Sequence, residues 1–300
     1  MAITLDGQTV PLPQDWGQTL MEQAFEQSAV GRLTDSKPMP LDGITIPIYE
    51  GGFEVGYVPE GTPKPVSEVS MRADSIVPKK FAGIVLASKE AARRNPGQMM
   101  DALRQDMING VQRQIDFAVL YGKSALTGLA VPETTSVNAT TNRVELAAGD
   151  LVPQFLSAYD LAAEGLSDPN GWAFDTRYRT RVSLAAQQQL AAAGGTSPMP
   201  NLALGVDTFG GLPAAFSRVV AGRIGTQTDT GVKGFVGDWN KVYWGFSANI
   251  TLDRSTEATV VDGASKTWHL FQDNMIAYRV EFEIGWHVNP DAFAAIEDKL

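Results

Sequence analysis

Residues 95–122 read NPGQMMDALRQDMINGVQRQIDFAVLYG, and this stretch decides how the rest of the chain can be arranged. Asn95 is a favourable N-cap, Pro96 suits the first helical position, and Gly122 is the residue type that commonly ends a helix. Between them an apolar side chain recurs every four residues, at Met99, Leu103, Met107, Val111, Ile115 and Val119. The pattern predicts one amphipathic helix with a single buried stripe. At ~1.5 Å per residue it spans roughly 39 Å, and we call it the spine helix.

The polar residues of the spine helix are expected on its opposite, solvent-facing side. They are Asp101, Gln105, Gln112 and Asp116. Basic residues also concentrate near this helix, which gives a local positive excess in an acidic chain. Such an excess fits either a solvated face or a contact with acidic surface on another subunit.

The composition excludes several kinds of chemistry. The chain has no cysteine, so disulfides, Cys-ligated zinc and a Cys nucleophile are ruled out. Its two histidines, His269 and His287, are expected to be ordinary strand residues, and we predict no metal and no cofactor. The formal net charge of −10 argues against free binding to nucleic acid as the function of the chain. No apolar run approaches ~18 residues, and the N-terminus lacks the pattern of a signal peptide, so we expect a cytoplasmic protein with no membrane partner.

The segment before the spine helix predicts an arm followed by a long excursion. Residues 1–15 are expected to be extended, and a short helix over Thr19–Val30 is expected to end at Gly31. Ile44, Ile46 and Ile48 alternate with polar positions and Pro47, which indicates an edge strand. Residues 50–74 are rich in Gly and Pro and include strand-like runs at 53–58 and 66–71, which predicts a two-stranded ribbon. Because such a ribbon is marginal alone in water, it needs a surface to lie on, and a neighbouring subunit is one candidate.

The remaining segments alternate between helical and strand patterns. Before the spine helix we expect a strand over 76–86 and a helix over 88–94. After it we expect a loop over 123–143, helices over 151–165 and 176–193, strands over 172–174 and within 235–246, and a long β segment over 268–288. The fold class is therefore α+β.

Several stretches, in this order, resemble the HK97-fold major capsid proteins of tailed double-stranded DNA bacteriophages. They are residues 57–65 (YVPEGTPKP), 84–91, 115–122 (IDFAVLYG), 273–281 (DNMIAYRVE) and 289–293 (NPDAF). The resemblance implies an HK97-like capsid fold with these parts: an N-terminal arm over 1–40, an extended β-hairpin E-loop with flanking strands over 41–80, a P-domain with the spine helix over 81–122, an A-domain over 123–267, and a P-domain return strand over 268–300.

The same resemblance implies a function and partners. The expected function is self-assembly into pentamers and hexamers of an icosahedral virion shell around double-stranded DNA, bound without sequence specificity. Assembly in the host cytoplasm would use a separate scaffolding protein, with maturation or portal proteins and, in some relatives, a decoration protein. The protein is not expected to be an enzyme.

Some members of that family join their subunits by a Lys–Asn isopeptide bond that a Glu assists. The matching positions here are Lys64 in the E-loop, and Asn274 and Glu281 at the last P-domain strand. The alternative is a solubilising lysine, a turn asparagine and a strand glutamate. Such a bond would be a single-turnover reaction of the shell with itself.

Two other functions remain open from the sequence. An encapsulin-like compartment that encloses a cargo protein uses the same fold, and fold alone does not decide between the two. A soluble hydrolase is the alternative from another class. Glu281 and Glu283 share one strand face, as a glycosidase pair could, but a solvated face explains them better.

Overall fold

A computed structural model describes residues 23–24, 28–49, 55–62, 64, 66, 71–90, 96–147, 151–164, 167–184, 207–223 and 229–298. The α-helices with both ends among the described residues are α1 (Ala29–Leu33), α2 (Pro96–Tyr121, the spine helix) and α3 (Leu151–Ala163). Its strands are β1 (Ile44–Tyr49), β2 (Met71–Ile76), β3 (Lys79–Ser88), β4 (Arg143–Glu145), β5 (Gly171–Phe174), β6 (Thr208–Phe209), β7 (Leu212–Phe216), β8 (Val232–Gly237), β9 (Val242–Ser255), β10 (Thr259–Val261), β11 (Thr267–His269), β12 (Met275–Val288) and β13 (Phe293–Glu297). Short 3-10 helices occupy Val137–Ala139, Thr176–Tyr178, Arg218–Ala221, Trp239–Lys241 and Pro290–Ala292.

The spine helix has the predicted bounds. Pro96 is its first residue, and Gly122 follows its end at φ 64°, a left-handed conformation that suits glycine. The apolar stripe is buried at Val111, Ile115 and Val119.

The prediction of a single buried stripe is wrong for the last two turns of the spine helix, because every residue from 114 to 121 is buried. Asp116, predicted to face solvent, is fully buried. The reason is tertiary: α1 and the 3-10 turn Arg218–Ala221 pack against this end of the helix and cover the side that the pattern assigned to water.

The structure describes paired strands at the root of the predicted ribbon. β1 and β2 are antiparallel, with Ile44 opposite Ile76 and Tyr49 opposite Met71. Residues 55–58, predicted to be strand, have no strand conformation, and most of the run 66–71 lies outside the described residues. The pairing that the structure describes lies where the apolar alternation of β1 is regular, and the described tip residues 55–62 form no strand.

A three-stranded antiparallel sheet has the order β3–β12–β9 and packs against the spine helix. The strand predicted over 76–86 is interrupted at Val77–Pro78, because proline has no N–H to donate to a ladder, and β3 then continues to Ser88. The helix predicted from Ser88 is represented by helical residues 89–90, and residues 91–95 lie outside the described part. The long β segment predicted over 268–288 is divided by a turn at residues 270–274.

A six-stranded mixed sheet has the order β4–β13–β8–β5–β7–β6. Helix α3 covers it, and the second hydrophobic core lies between them around Phe155, Trp172 and Phe174. The sheets do not follow the boundary between residues 267 and 268, because β9 pairs with β12 while β13 joins the six-stranded sheet.

The helix predicted over Thr19–Val30 differs in its bounds. Residues 23–24 are helical, Ser28 is extended, and α1 then runs through Gly31 to Leu33. Gly31 lies in the first turn of α1 and does not end the helix. Ser28 is the N-cap of α1, and the Ser28 side-chain oxygen accepts a hydrogen bond from the Gly31 N–H. The predicted helix 176–193 begins as a 3-10 turn and is helical over 179–184, beyond which it lies outside the described residues, as does the predicted extended arm 1–15.

Candidate assembly surfaces and a buried carboxylate

The ribbon exposes apolar side chains that the subunit itself does not cover. Val55 is 82% exposed, Tyr57 94% and Val66 92%. Isolated exposed apolar residues are ordinary, but here three of them share one excursion that extends beyond a two-stranded root. This excursion has the properties of a surface that is completed by contact with another molecule.

The three predicted cross-link residues lie at separate places on the subunit. Lys64 is exposed near the tip of the ribbon. Asn274 is exposed in the turn before β12, where it has φ 54° and its carbonyl accepts a hydrogen bond from the Lys89 N–H at 3.0 Å. Glu281 is seven residues further along the strand, about 23 Å away at ~3.3 Å per residue. Asn274 and Glu281 of one subunit therefore cannot react with the same lysine.

Glu281 also has partners inside the subunit. Its Oε2 lies 3.0 Å from Lys80 Nζ, and its Oε1 lies 3.4 Å from Arg279 Nε. Arg279 in turn contacts Asp253 at 2.7 Å. A proton-accepting role for Glu281 would require this ion pair with Lys80 to open.

The predicted excess of basic charge near the spine helix is partly neutralised within the chain. Besides Lys80, Lys79 is paired with Glu133 at 3.1 Å and Arg72 with Asp74 at 3.0 Å. These pairs are at the surface and contribute little stability each. They nevertheless reduce the number of cations that could attract an acidic partner.

The carboxyl group of Asp116 joins three parts of the chain that are distant in sequence. Ser28 Oγ donates to Asp116 Oδ1 at 2.5 Å, and Ser217 Oγ donates to Oδ2 at 2.9 Å. Two backbone N–H groups complete the set, from Val30 at 3.2 Å and from Ala29 at 3.3 Å. We call this arrangement the carboxylate joint. It fixes α1 and the turn after β7 to the end of the spine helix.

The two serines of the carboxylate joint are also helix caps. Ser28 caps α1 by accepting from the Gly31 N–H, and Ser217 caps the turn Arg218–Ala221 by accepting from the Val219 N–H. Burial raises the pKa of Asp116, and the hydrogen bonds from Ser28, Val30 and the other donors oppose this shift without cancelling it.

Sequence reasoning missed Asp116, although a signal was present. In the run IDFAVLY it is the only charged residue, with apolar neighbours on both sides. A lone carboxyl inside such a run indicates a buried group with dedicated donors, because an unpaired buried charge is costly.

The segment Lys37–Met39, which we call the arm segment, lies along the free edge of β9. The Lys37 N–H donates to the Trp244 carbonyl at 2.9 Å, and the Met39 N–H donates to the Phe246 carbonyl at 3.1 Å. Gly245 and Gly285 are paired directly across β9 and β12 beneath it. A methyl group at Gly245 would overlap the Lys37 carbonyl, and one at Gly285 would overlap the Met39 sulfur. The glycine pair thus provides the space in which the arm segment packs.

Both histidines are strand residues, as predicted. His269 in β11 lies 3.1 Å from the hydroxyl of Thr259, and His287 in β12 lies 3.4 Å from Asp74 at the root of the ribbon. Burial lowers the pKa of His287. Among the described residues, no group of three acidic or histidine side chains converges as a metal site. In the same part of the chain no helix is long and apolar enough to cross a membrane.

These features together define the class of the protein. A long central helix, a three-stranded sheet, a six-stranded sheet and a ribbon with uncovered apolar side chains make an α+β subunit. The chain belongs to the phage capsid family, whose model matches residues 8–298.

Individual relatives agree with this assignment. The probable major capsid protein gp17 of Mycobacterium phage L5 is 26% identical over 294 residues, which cover 95% of this chain and 88% of that protein. A solved chain from Gordonia phage Cozz has a TM-score of 0.74 and 26% identity, and covers 91% of this chain and 87% of its own length. The capsid chain of an empty GTA particle has a TM-score of 0.58 and covers 91% of this chain and 90% of its own, but at 12% identity it shows the fold alone.

The comparisons confirm the resemblance predicted from the sequence and give an α+β capsid fold. The virion capsid is the location that this family implies, and other copies of the same chain are the partners. Neither the cargo-holding compartment nor the soluble hydrolase is favoured, because the family and the relatives are those of phage capsids.

Proposed function

We propose that the protein assembles into pentamers and hexamers of an icosahedral shell that encloses double-stranded DNA. The observation that carries this proposal is the ribbon, whose side chains at Val55, Tyr57 and Val66 are almost wholly exposed in the single subunit. A neighbouring copy that receives this ribbon buries them. Many such modest contacts, repeated by symmetry, give a stable closed shell.

In this proposal each part of the chain has an assembly role. Residues 1–40 form the N-terminal arm, 41–80 the E-loop with its flanking strands, 81–122 and 268–300 the P-domain, and 123–267 the A-domain, which faces the axis of each ring of subunits. Assembly takes place in the host cytoplasm with a separate scaffolding protein. Portal, maturation and, in some shells, decoration proteins are further partners.

Electron microscopy of the expressed protein tests the assembly proposal. The chain is expressed alone and together with a candidate scaffolding protein, and the high-molecular-weight fraction is imaged. Closed shells, or rings of five and six subunits, are expected. A monodisperse monomer under both conditions refutes the proposal, and particles that contain a co-purifying cargo protein instead of DNA point to a compartment.

A matched pair of variants links the shell to the ribbon. Tyr57→Ser removes an exposed aromatic ring from the ribbon, whereas Leu126→Ser removes an exposed apolar side chain from the loop after the spine helix, where Leu126 is 84% exposed. Loss of shells with Tyr57→Ser alone, with the monomer still folded, is the expected result. Equal assembly by both variants would show that the ribbon is not the contact.

We further propose a covalent bond between Lys64 of one subunit and Asn274 of a neighbour, assisted by Glu281 of another subunit. Lys64 Nζ, once deprotonated, attacks the Asn274 side-chain carbonyl carbon. The new C–N bond replaces the bond to the amide nitrogen, which leaves as ammonia, and Glu281 carries the proton. The exposure of Lys64 and Asn274 supports the proposal, and the ion pair of Glu281 with Lys80 is what the neighbouring subunit must displace.

Denaturing electrophoresis of boiled mature particles tests the bond. A ladder of multimers is expected from the wild type, and only the monomer from Lys64→Arg, which keeps the charge. Peptides that join the two residues should be lighter than their sum by one ammonia. A single monomer band from wild-type particles would refute cross-linking without affecting the shell proposal.

A further inference from the structure

A groove between the spine helix and the turn after β7 carries positive charge, opposite in sign to the net charge of the chain. The chain as a whole has 34 acidic and 24 basic residues. The groove, by contrast, is lined by Arg113, Arg218 and Arg223, with Asp106 as its one acidic residue. All three arginines are exposed, and among the described residues none of them has an acidic partner within 4 Å.

The surroundings of the groove keep this positive charge available. Arg177, beside the groove, pairs with Asp175 at 2.9 Å and with Asp229 at 2.8 Å. These two carboxylates are therefore paired with Arg177 rather than with the arginines of the groove. Arg179 stacks over the ring of Phe216, a lining residue, with 4.7 Å between the guanidinium carbon and the ring centroid.

The chemistry of the lining fits phosphate groups. Guanidinium groups match phosphate oxygens in a two-pronged geometry and stay charged at every physiological pH. Hydroxyl and amide groups, here those of Thr176 and Asn109, are the other side chains that commonly contact a phosphate backbone. Since phosphate contacts carry no sequence information, such a groove binds any sequence.

We infer that this groove binds the phosphate backbone of the DNA that the shell encloses. The inference rests on the proposed function, because the shell supplies DNA at high local concentration. Weak attraction is then sufficient, and the net charge of −10 prevents the subunit from binding nucleic acid tightly before assembly.

Salt dependence of DNA binding by the purified full-length chain tests the inference. The probe is a fluorescent 30-base-pair duplex of mixed sequence, and the readout is anisotropy between about 50 and 200 mM salt. Neutralisation of three phosphates predicts a fall in affinity of about 40-fold over this range, against about 3- to 4-fold when one contact remains. We therefore expect the steep slope for the wild type and the shallow slope for Arg218→Gln/Arg223→Gln.

A control of equal charge separates the groove from the overall charge of the chain. Lys241→Gln/Arg254→Gln removes two exposed cations from positions outside the groove lining. It should retain the wild-type slope, and circular dichroism should show all three proteins to be folded. Equal slopes for the two double variants overturn the inference.

Two further outcomes identify a different partner. If polyglutamate competes with DNA at equal charge concentration, the groove recognises an acidic protein segment and the inference fails. If the groove variant stays monomeric while the control forms shells, the arginines contact a neighbouring subunit and the inference also fails. Shells without any groove effect refute only this inference, whereas a wild type that forms no shells refutes the proposed function.

Discussion

Replacing Asp116 is expected to loosen the link between α1 and the spine helix. In Asp116→Ala, the four donors of the carboxylate joint lose their acceptor. All four belong to buried residues. An unsatisfied buried donor costs about 1–3 kcal/mol, and these costs do not add fully because a water molecule can enter the space left by the carboxyl. We expect a loss of about 3–5 kcal/mol in the free energy of unfolding, which is more than one unsatisfied donor costs and less than the sum for four donors.

Asp116→Asn is expected to cost less, about 1–3 kcal/mol. One oxygen becomes an NH₂ group. A serine hydroxyl on that side can turn round and accept from it, but the backbone N–H of Ala29 or Val30 cannot. In Asp116→Asn one backbone N–H is therefore left facing another donor, whereas in Asp116→Ala four donors are left without an acceptor.

Urea denaturation of the soluble subunit measures both losses, with Asp101→Asn as the control. Asp101 is on the same helix but exposed, so its variant should stay within about 0.5 kcal/mol of the wild type. Hydrogen exchange should show faster opening of residues 28–33 in the Asp116 variants. If Asp116→Ala matches the control in stability, the carboxylate joint does not hold the arm and the reasoning is wrong.

The pH dependence provides a separate check on Asp116. Because burial raises its pKa above the usual 3.8, the folded state binds the proton more tightly than the unfolded state. The stability gained in this way is complete below the unfolded pKa and is lost as the pH rises through the folded pKa. The advantage of the wild type over Asp116→Asn should therefore shrink as the pH rises above the usual pKa of 3.8. An advantage that grows with pH would show that the four donors outweigh burial.

Two other substitutions test the packing around the arm and the spine helix. Gly245→Ala should displace the arm segment, because the added methyl group overlaps the backbone of that segment. Limited proteolysis should then cut within residues 35–40. The control Gly83→Ala, with no atom within 4 Å of the added methyl group, should resist proteolysis like the wild type. Tyr121→Phe removes a buried hydroxyl that donates to the Val220 carbonyl at 2.5 Å, so it should lower the free energy of unfolding by about 1–2 kcal/mol in urea denaturation, whereas Tyr57→Phe on the exposed ribbon should not change it.

The sequence predicted what depends on regular spacing. The bounds of the spine helix follow from Pro96, Gly122 and the four-residue apolar repeat, and these signals are local. The sequence predicts the ribbon from the Gly- and Pro-rich residues 50–74, whereas the pairing that the structure describes joins β1 to β2, from Ile44 opposite Ile76 to Tyr49 opposite Met71. Which strands share a sheet could not be predicted, since β9 and β12 are brought together by packing rather than by spacing.

The site was less predictable than the fold for a physical reason. The proposed cross-link joins residues of different subunits, namely Lys64, Asn274 and Glu281. Their spacing along one chain therefore carries no information about their contact, and the structure of a single chain does not bring them together. Asp116 was missed because helical periodicity assumes one buried side, and the last turns of the spine helix have neighbours on all sides. A lone carboxyl in an apolar run is the signal that periodicity alone ignores.

The arm and the ribbon are coupled through one glycine. Gly285 in β12 leaves room for Met39 of the arm segment and for Ile76 at the root of the ribbon, since a methyl group there would contact both. The position of the arm segment on β9 therefore helps to set where the ribbon leaves the core. In the proposed shell the ribbon would make its contacts at Tyr57, beyond the paired strands β1 and β2, so a small tilt at its root would become a larger displacement there. The carboxylate joint at Asp116 and the glycine pair hold the arm at two points on either side of residues 31–36, which makes the root a defined platform for that contact.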